Sequence, residues 1–466
     1  MNKESQASRT KRPMASVQSH GLGGERGTQA SAHVERQTVT VWDEKRALTQ
    51  KLMEQVCGPS NLNEAYKRVK ANKGASGVDG MNVEDLMPWL ADHQEELIES
   101  LKDGSYEASL VRGVEIPKPG GGVRQLGIPT VVDRYVQQAI LQIIDPILDP
   151  TFSESSYGFR RGRGAHQALK QATEYVKDGN WIVVDLDLEK FFDRVNHDIL
   201  MARLARRIGD KRLLRIVRRF LEAGMMKDGV KLEREEGTPQ GGPLSPLLAN
   251  LLLDDLDKEL ERRAHRFCRY ADDCNIYVRS QAAGERVMKS IRQFLTKKLK
   301  LRVNQDKSAV APAHERKFLG YRLLTQGVLT IAPRSLERAR ERIRQLTRRN
   351  RGRKLEVVIR QLNEFLNGWV VYYRHAAAQA HLHRMDVWVR RKLRCYRLKQ
   401  RKRAKPIADY LIQLGVPPQR AWPLAKSSKG WWRLSRNPVI HEAMTDAWFE
   451  SLGLINLEKK WKALNT

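Results

Sequence analysis

The sequence has little of what marks a secreted, disulfide-stapled or membrane-spanning chain. Its four cysteines (Cys57, Cys268, Cys274 and Cys395) are scattered through 466 residues, with no Cys-x-x-Cys pair and no nearby Cys/His ligand set. That pattern excludes a disulfide framework and a zinc module, and a reducing intracellular compartment fits it best. No apolar run approaches the ~20 residues needed to span a bilayer, and no signal-peptide apolar core is present. Large apolar side chains are also few in residues 1–45, where Ser, Gln, Thr, Gly and Arg prevail, so this stretch reads as a disordered basic leader. The glycines of "KGASGVDG" (Lys73 to Gly80) lack the Gly-Lys-Ser/Thr ending of a phosphate-binding loop, so no nucleotide-hydrolase motif is read there.

Negative charge is scarce as well. The 54 Asp and Glu are outnumbered by 84 Lys and Arg, leaving a formal net charge of +30. Such a balance points to a polyanionic partner, nucleic acid first. The excess is concentrated: residues 334–405 hold 23 Lys and Arg against 5 Asp and Glu, a net of +18. The same block carries helical periodicity, with Leu355, Val358, Ile359, Leu362, Leu366, Trp369 and Tyr373 in one set and Leu382, Met385, Val389, Leu393 and Tyr396 in the next. A merely solvated helix face usually mixes signs; this one is almost purely positive, which favours a phosphate-binding helical domain.

Against that background, the carboxylates of "FCRYADDCNIYV" (Phe267 to Val278) stand out. Cys274, Ile276 and Val278 alternate with Asn275 and Tyr277 as in a half-buried strand, and Asp272 and Asp273 fall at the tip of a tight hairpin. Asp is a common turn residue, so the pair alone is better explained by a turn than by a site. Upstream, "WIVVDLDLEKFFDRVNHDIL" reads as a strand from Trp181 to Val184, with Asp185 and Asp187 on one face of its continuation and Asn196 as N-cap of the next helix. Three carboxylates brought within ~4–5 Å repel by a few kcal/mol per pair at an effective dielectric of about 20. Mg²⁺ is their natural counter-charge.

Between these segments lies "GTPQGGPLSPLLANLLLDDLDKEL", where Ser245 and Pro246 read as N-cap and first residue of a helix that buries Leu247, Leu248, Leu251, Leu252 and Leu256. Gly237, Gly241 and Gly242 before it suit close backbone approach to a ligand, with Gln240 projecting, or equally a structural turn. "VEIPKPGGGVRQLGIPTVVDR" reads as a hairpin whose tip is flanked by Lys118 and Arg124, two cations suited to a triphosphate, or simply a solvated hairpin.

The ordered segments "RGVEIPKPGGGVRQLGIPTVVDR", "FSESSYGFRRGRGAHQAL", "VVDLDLEKFFDRVNHDIL", "GTPQGGPLSPLLANLLLDDLDKEL", "RYADDCNIYV", "LKLRVNQDKSAV" and "RKFLGYRL" resemble the successive blocks of reverse transcriptases. "KRVKANKGASGVDG" resembles the extra N-terminal block of non-retroviral members. "LNEFLNGWVVYYRHAAA" followed by "MDVWVRRKLRCYRLKQRKR" resembles the maturase, or thumb, domain of proteins encoded within bacterial group II introns. The resemblance runs from about residue 46 to the C-terminus.

It implies an α+β right-hand polymerase fold: fingers over 46–180, an antiparallel-sheet palm over 181–332, a helical thumb or maturase domain over 333–405, and a C-terminal nucleic-acid-binding region over 406–466. Residue by residue, Asp187, Asp272 and Asp273 match the catalytic carboxylates, the first two as main Mg²⁺ ligands, with Leu188 lending its carbonyl. Asp185 competes with Asp187, but the spacing to Phe191-Phe192 favours Asp187. Phe192 matches the gate against a ribose 2′-hydroxyl; Gln240, Lys118 and Arg124 match contacts to the incoming nucleotide. Arg160, Arg163, Arg348, Arg349, Arg351, Arg353, Arg390, Arg391 and Arg394 are the arginines expected to face RNA, although the run at 160–163 also reads as a basic surface turn. The tryptophans of 406–466 either stack bases or form a small core. No Cys-rich nuclease segment follows the maturase-like region, so second-strand cleavage is not expected.

The function implied is RNA-directed DNA polymerisation joined to RNA binding that assists splicing and mobility of a group II intron. Its partners would be intron RNA, an RNA template with a DNA primer, target DNA and deoxynucleotides, without a membrane. The protein would act as monomer or homodimer in a cytoplasmic ribonucleoprotein. A splicing-only maturase and a reverse transcriptase domesticated for defence or repair are the competing readings.

Overall fold

A computed structural model describes residues 49–466 except 118–120, 228–229, 233–235 and 239–240. The leader, Lys118, Gln240 and the side chain of Arg124 therefore lie outside the described residues. Ten strands follow in chain order: β1 (Val111–Pro117), β2 (Val123–Ile128), β3 (Ile182–Leu186), β4 (Met225–Lys227), β5 (Val230–Leu232), β6 (Arg266–Tyr270), β7 (Asp273–Val278), β8 (Ala309–Pro312), β9 (Tyr321–Leu323) and β10 (Leu329–Ile331). They form one four-stranded sheet in the order β2-β1-β4-β5, a second in the order β6-β7-β3-β8, and the two-stranded pair β10-β9. The expected hairpin is present as β1 and β2, antiparallel from Arg112↔Ile128 to Pro117↔Val123.

The central sheet is antiparallel throughout, with Ile182 opposite Val278 and Leu186 opposite Cys274. Its side chains divide between two hydrophobic cores. Ile182, Val184, Leu186, Cys274 and Ile276 join a core built largely from the helices before residue 303. Val183, Cys268 and Tyr277 join a second core that reaches Leu457. Strand β7 is thus buried on both faces, not half-buried as its alternation suggests; Asn275 and Tyr277 are each 2% exposed. The reason is the helix Ala165–Lys177, whose Ala168, Leu169, Ala172 and Val176 cover the face that sequence alternation assigns to solvent.

Local sequence explains the helices that frame this sheet. Helix Val131–Leu148 starts where Thr130 accepts a hydrogen bond from the Asp133 backbone N–H, and buries Val136, Ala139, Ile140 and Ile144 at three- and four-residue steps. Asn196 caps helix His197–Ala205 as expected, accepting from the Ile199 N–H. Helix Ser245–Arg262 begins one residue earlier than expected: Leu244 holds the cap position without a side-chain bond, and Ser245 is already helical. Pro246 tolerates this, because the first-turn N–H groups have no partner within the helix.

After residue 333 the chain is helical. Pro333–Leu346, Leu355–Tyr372 and Gln379–Arg401 pack through the predicted apolar stripes, which include Leu355, Leu362, Leu366, Leu382, Val389 and Leu393. Residues 406–466 add Leu411, Leu424, Ile440, Met444, Phe449 and Leu457 to the same core. Trp422, Trp431, Trp448 and Trp461 pack partly buried against it, while Trp432 stays 40% exposed. No helix among the described residues is long and apolar enough to cross a membrane.

Candidate active site

Pairing of Tyr270 with Asp273 closes β6 and β7 through the two-residue loop Ala271-Asp272. Ala271 takes φ +58°, a left-handed conformation that costs a residue with a Cβ about 1–2 kcal/mol. Neighbouring groups hold it there. The Arg269 guanidinium donates to the Ala271 carbonyl at 3.0 Å and to Asn250 Oδ1 at 2.9 Å. Asn250 in turn donates to the Gly158 carbonyl at 2.8 Å. Gly158 lies so close that a Cβ there would sit 2.3 Å from the Ala271 nitrogen, so only glycine fits. Arg269 is itself fixed by Asp257 through two bonds of 2.8 and 2.6 Å, both side chains essentially without solvent.

Strand β3 and the residue after it carry the facing carboxylates, Asp185 and Asp187. Leu186 pairs with Cys274, so continuing the register sets Asp187 opposite Asp273. The Asp187 backbone is held by three bonds: its N–H donates to Ser308 Oγ at 3.0 Å, while its carbonyl accepts from the Asn304 N–H at 2.8 Å and from Ser308 Oγ at 3.3 Å. Its carboxylate has Lys307 Nζ at 3.5 Å. Asp185 differs. Arg316 donates to one of its oxygens from Nε at 2.9 Å and from Nη2 at 2.6 Å. Leu188 is buried and bridges Val303.

Crowding by protein and then the like charges of Asp272, Asp185 and Asp187 push the Asp273 carboxyl up to about 6, against a smaller opposing pull from Lys317. Because Asp273 keeps solvent access, the like-charge repulsion is the firmer of the two upward causes. Among the described residues, no three His, Cys, Asp or Glu side chains close up as a cage for an ion. The aspartates form a looser, mutually repelling group. A divalent cation with oxygen ligands would offset that repulsion.

Phe192 follows in the short helical turn Phe191–Asp193, partly buried and edge-on to Phe191 with ring centroids 5.1 Å apart. The glycine-rich loop docks on it: the Thr238 N–H donates to the Phe192 carbonyl at 2.6 Å, and a Cβ on Gly237 would lie 2.9 Å from that same oxygen. The close approach that this glycine permits is therefore to protein backbone, rather than to a ligand.

Three arginines expected to face RNA are turned inward. Arg160 spends its donors on Asp149 and on the carbonyls of Asp149, Ser153 and Ser156. Arg390 pairs with Asp446 at 2.8 Å. Arg394 is buried and donates twice to the Met444 carbonyl, at 3.0 and 2.8 Å, burial lowering its pKa to about 10. Arg163 is held by Glu154. Arg351 is half-buried and donates to the Leu346 carbonyl at 3.2 Å. By contrast, Arg348, Arg349 and Arg353 are exposed on one loop, and Arg391 stacks on Trp432 with 3.7 Å from guanidinium carbon to ring centroid. Sequence reasoning missed Arg269, Ser308, Lys307 and Arg316 as partners of the site. Their only signal was membership of the segments "RYADDCNIYV", "LKLRVNQDKSAV" and "RKFLGYRL".

Residues 116–323 match the family model described as reverse transcriptase (RNA-dependent DNA polymerase), and residues 336–411 match that described as group II intron, maturase-specific domain. The chain is similar to protein YkfC of Escherichia coli (strain K12), 34% identical over an alignment of 317 residues, with 59% of this chain and 83% of that protein covered. It is also similar to the group II intron-encoded protein LtrA of Lactococcus lactis subsp. cremoris, 29% identical over 330 residues. That match covers 55% of this chain, which spans 54% of the relative's length. A solved structure titled as a partial Cas6-RT-Cas1–Cas2 complex is 27% identical, covering 53% of this chain and 43% of that one with a TM-score of 0.36, a likeness too distant to fix positions.

Proposed function

The chain belongs to the family of reverse transcriptases and maturases encoded by group II introns, and from that premise we propose that it copies intron RNA into DNA and assists splicing of the same RNA. Its enzymatic class is RNA-directed DNA polymerase, with a helical RNA-binding maturase region behind the polymerase core. The observation that supports the proposal is the register that sets the residue after β3, Asp187, opposite Asp273 beside the Asp272 loop, with Asp273 raised by burial and then by its like-charged neighbours.

Asp187 and Asp272 are the proposed main ligands of Mg²⁺, with the Leu188 carbonyl and Asp273 beside them. The two hydrogen bonds from Arg316 to one oxygen of Asp185 support Asp187 as the ligand, since a carboxylate already paired with a guanidinium gains less from a further cation. When bound, Mg²⁺ supplies charge neutralisation for the triphosphate and activation of the primer hydroxyl. The protein's own groups hold the geometry. Arg269 fixes the turn that carries Asp272. Ser308 and Asn304 fix the backbone of Asp187. Phe192, seated against Phe191, is proposed to crowd a ribose 2′-hydroxyl, and Lys118, Arg124 and Gln240 to contact the incoming nucleotide.

The proposed partners are group II intron RNA, an RNA template annealed to a DNA primer, target DNA and deoxynucleotides, within a cytoplasmic ribonucleoprotein. The test is primer extension by the full chain on an RNA template with Mg²⁺. Extension that is lost in the Asp272→Ala variant, whose RNA binding persists, supports the reading. Absence of extension by the unaltered protein would leave a splicing-only maturase.

A further inference from the structure

A cavity of about 570 Å³ opens in the maturase region between helices Pro333–Leu346 and Gln379–Arg401 and the short helix Trp431–Leu434. Its walls combine two kinds of side chain. Arg340 and Arg344, one turn apart on the first helix, line it together with Arg384 and Lys392 of the second and with Arg349. Trp388 and Trp432 supply the aromatic walls, with the Lys392 ammonium 5.4 Å from one ring centroid and 5.7 Å from the other.

No acidic residue lines this cavity among the described residues. Glu341, next along the helix, pairs with Arg344 at 3.1 Å and pulls the Lys392 pKa weakly upward. Five cations around one space repel one another, and burial followed by the nearby Arg344 holds Lys392 below the ordinary lysine range. The Arg391 Nε is buried without a hydrogen-bond partner while its guanidinium braces Trp432 from outside the cavity. Space of this size is typical of sites for small organic ligands, which range over about 300–1,000 Å³. Inorganic phosphate would use the cations and leave the indoles idle; an apolar ligand would do the reverse. A nucleotide uses both, its base stacked on indole and its phosphate among guanidinium groups.

A second cavity, of about 660 Å³, shares Arg344, Thr347, Arg349 and Lys392 with the first and continues past Arg348 and Lys399, with Glu341 its one acidic lining residue, outnumbered five to one by cations. The cationic space is thus a groove longer than one nucleotide, which favours a polymer over a free mononucleotide.

We propose that this groove captures an unpaired nucleotide of structured RNA, base against Trp388 and Trp432 and flanking phosphates along Arg344, Arg349 and Lys392. The proposal rests on the RNA-binding reading above and assigns it a defined receptor. It makes this region a reader of bulged or looped positions, because a paired base is stacked within its own helix and cannot enter.

The test uses the full chain labelled with 5-fluorotryptophan, the Trp388 and Trp432 resonances being assigned through Trp388→Phe and Trp432→Phe. Three probes are titrated: an RNA hairpin with a single-nucleotide bulge, the fully paired hairpin, and AMP. Expected is a saturable shift of both resonances with the bulged hairpin alone, and a bulge preference of about tenfold that Lys392→Gln removes. Equal shifts with both hairpins, or silent resonances while both bind, would overturn it. Saturation by AMP with no response to the bulged hairpin would also overturn it, in favour of a free nucleotide ligand. Should Lys392→Gln fail to fold, the fluorine signals of the unsubstituted sequence still decide. If primer extension and RNA binding persist while the two tryptophans stay silent, only the groove assignment fails; if neither hairpin binds and extension is absent, the broader functional reading fails with it.

Discussion

Two acidic stretches, Asp254-Asp255-Leu256-Asp257 and Asp272-Asp273, lie within twenty residues of each other and look alike in composition. Their surroundings differ. Asp254 has Arg207 at 2.6 Å, Asp255 has Arg203 at 2.8 Å, and Asp257 has Arg269 at 2.6 Å. Asp273 instead has Asp272, Asp185 and Asp187 around it, and its pKa rises to about 6. The first stretch serves the fold, since each carboxylate meets a guanidinium on its own account. The second crowds like charge around Asp273, a repulsion that an added cation would relieve. The arginines repeat the contrast: Arg160, Arg390 and Arg394 are spent on internal oxygens, whereas Arg340, Arg344 and Arg349 gather around an open cavity.

The contrast breaks most sharply at Asp272. Asp272→Ala is expected to lower primer extension by about a thousandfold or more, as loss of several kcal/mol of metal-borne stabilisation implies, with RNA affinity changed by less than about twofold. A parallel loss of RNA binding would show that the two clusters do not act separately.

Arg269 tests the paired stretch. Arg269→Leu strands Asp257 in the core and is expected to cost about 3–5 kcal/mol of stability, read from urea unfolding. Arg269→Lys keeps the charge and recovers part of it. A cost near zero would deny that this pair supports the turn.

The arginines should separate by salt dependence. Arg348→Ala is expected to reduce the slope of log affinity against log salt by about 0.7–0.9, one phosphate contact. Arg160→Ala should leave that slope alone and appear only as lost stability; a change of slope there would mean that Arg160 leaves Asp149 to meet RNA. The smallest effect is expected at Phe192→Ala, where relaxed discrimination against ribonucleotides, measured by competing substrates, should accompany a modest loss of extension. Unchanged selectivity removes the gate role.

What can be seen without coordinates is mostly local. The hairpin of β1 and β2, the Asn196 cap and the apolar stripes of Leu355–Tyr372 and Gln379–Arg401 each depend on residues a few positions apart. The choice between Asp185 and Asp187 is open to spacing alone, and the residue that bears on it, Arg316, lies 131 positions from Asp185. Arg390 and Arg394 look like RNA-facing charge in the sequence because their partners, Asp446 and the Met444 carbonyl, are some fifty residues away. Covered faces are hidden for the same reason: Tyr277 alternates like a surface residue until the helix Ala165–Lys177 closes over it.

The shared core behind the palm has a practical consequence. Ending the chain after Leu411, where the maturase-specific match stops, would strip Leu424, Ile440, Met444, Phe449 and Leu457 from contacts they make with earlier helices. The shortened protein would present a wide oily surface and clump before its RNA could be offered to it. Dissecting this molecule by truncation therefore tests solubility first and recognition second, and single side-chain changes are the cleaner scalpel.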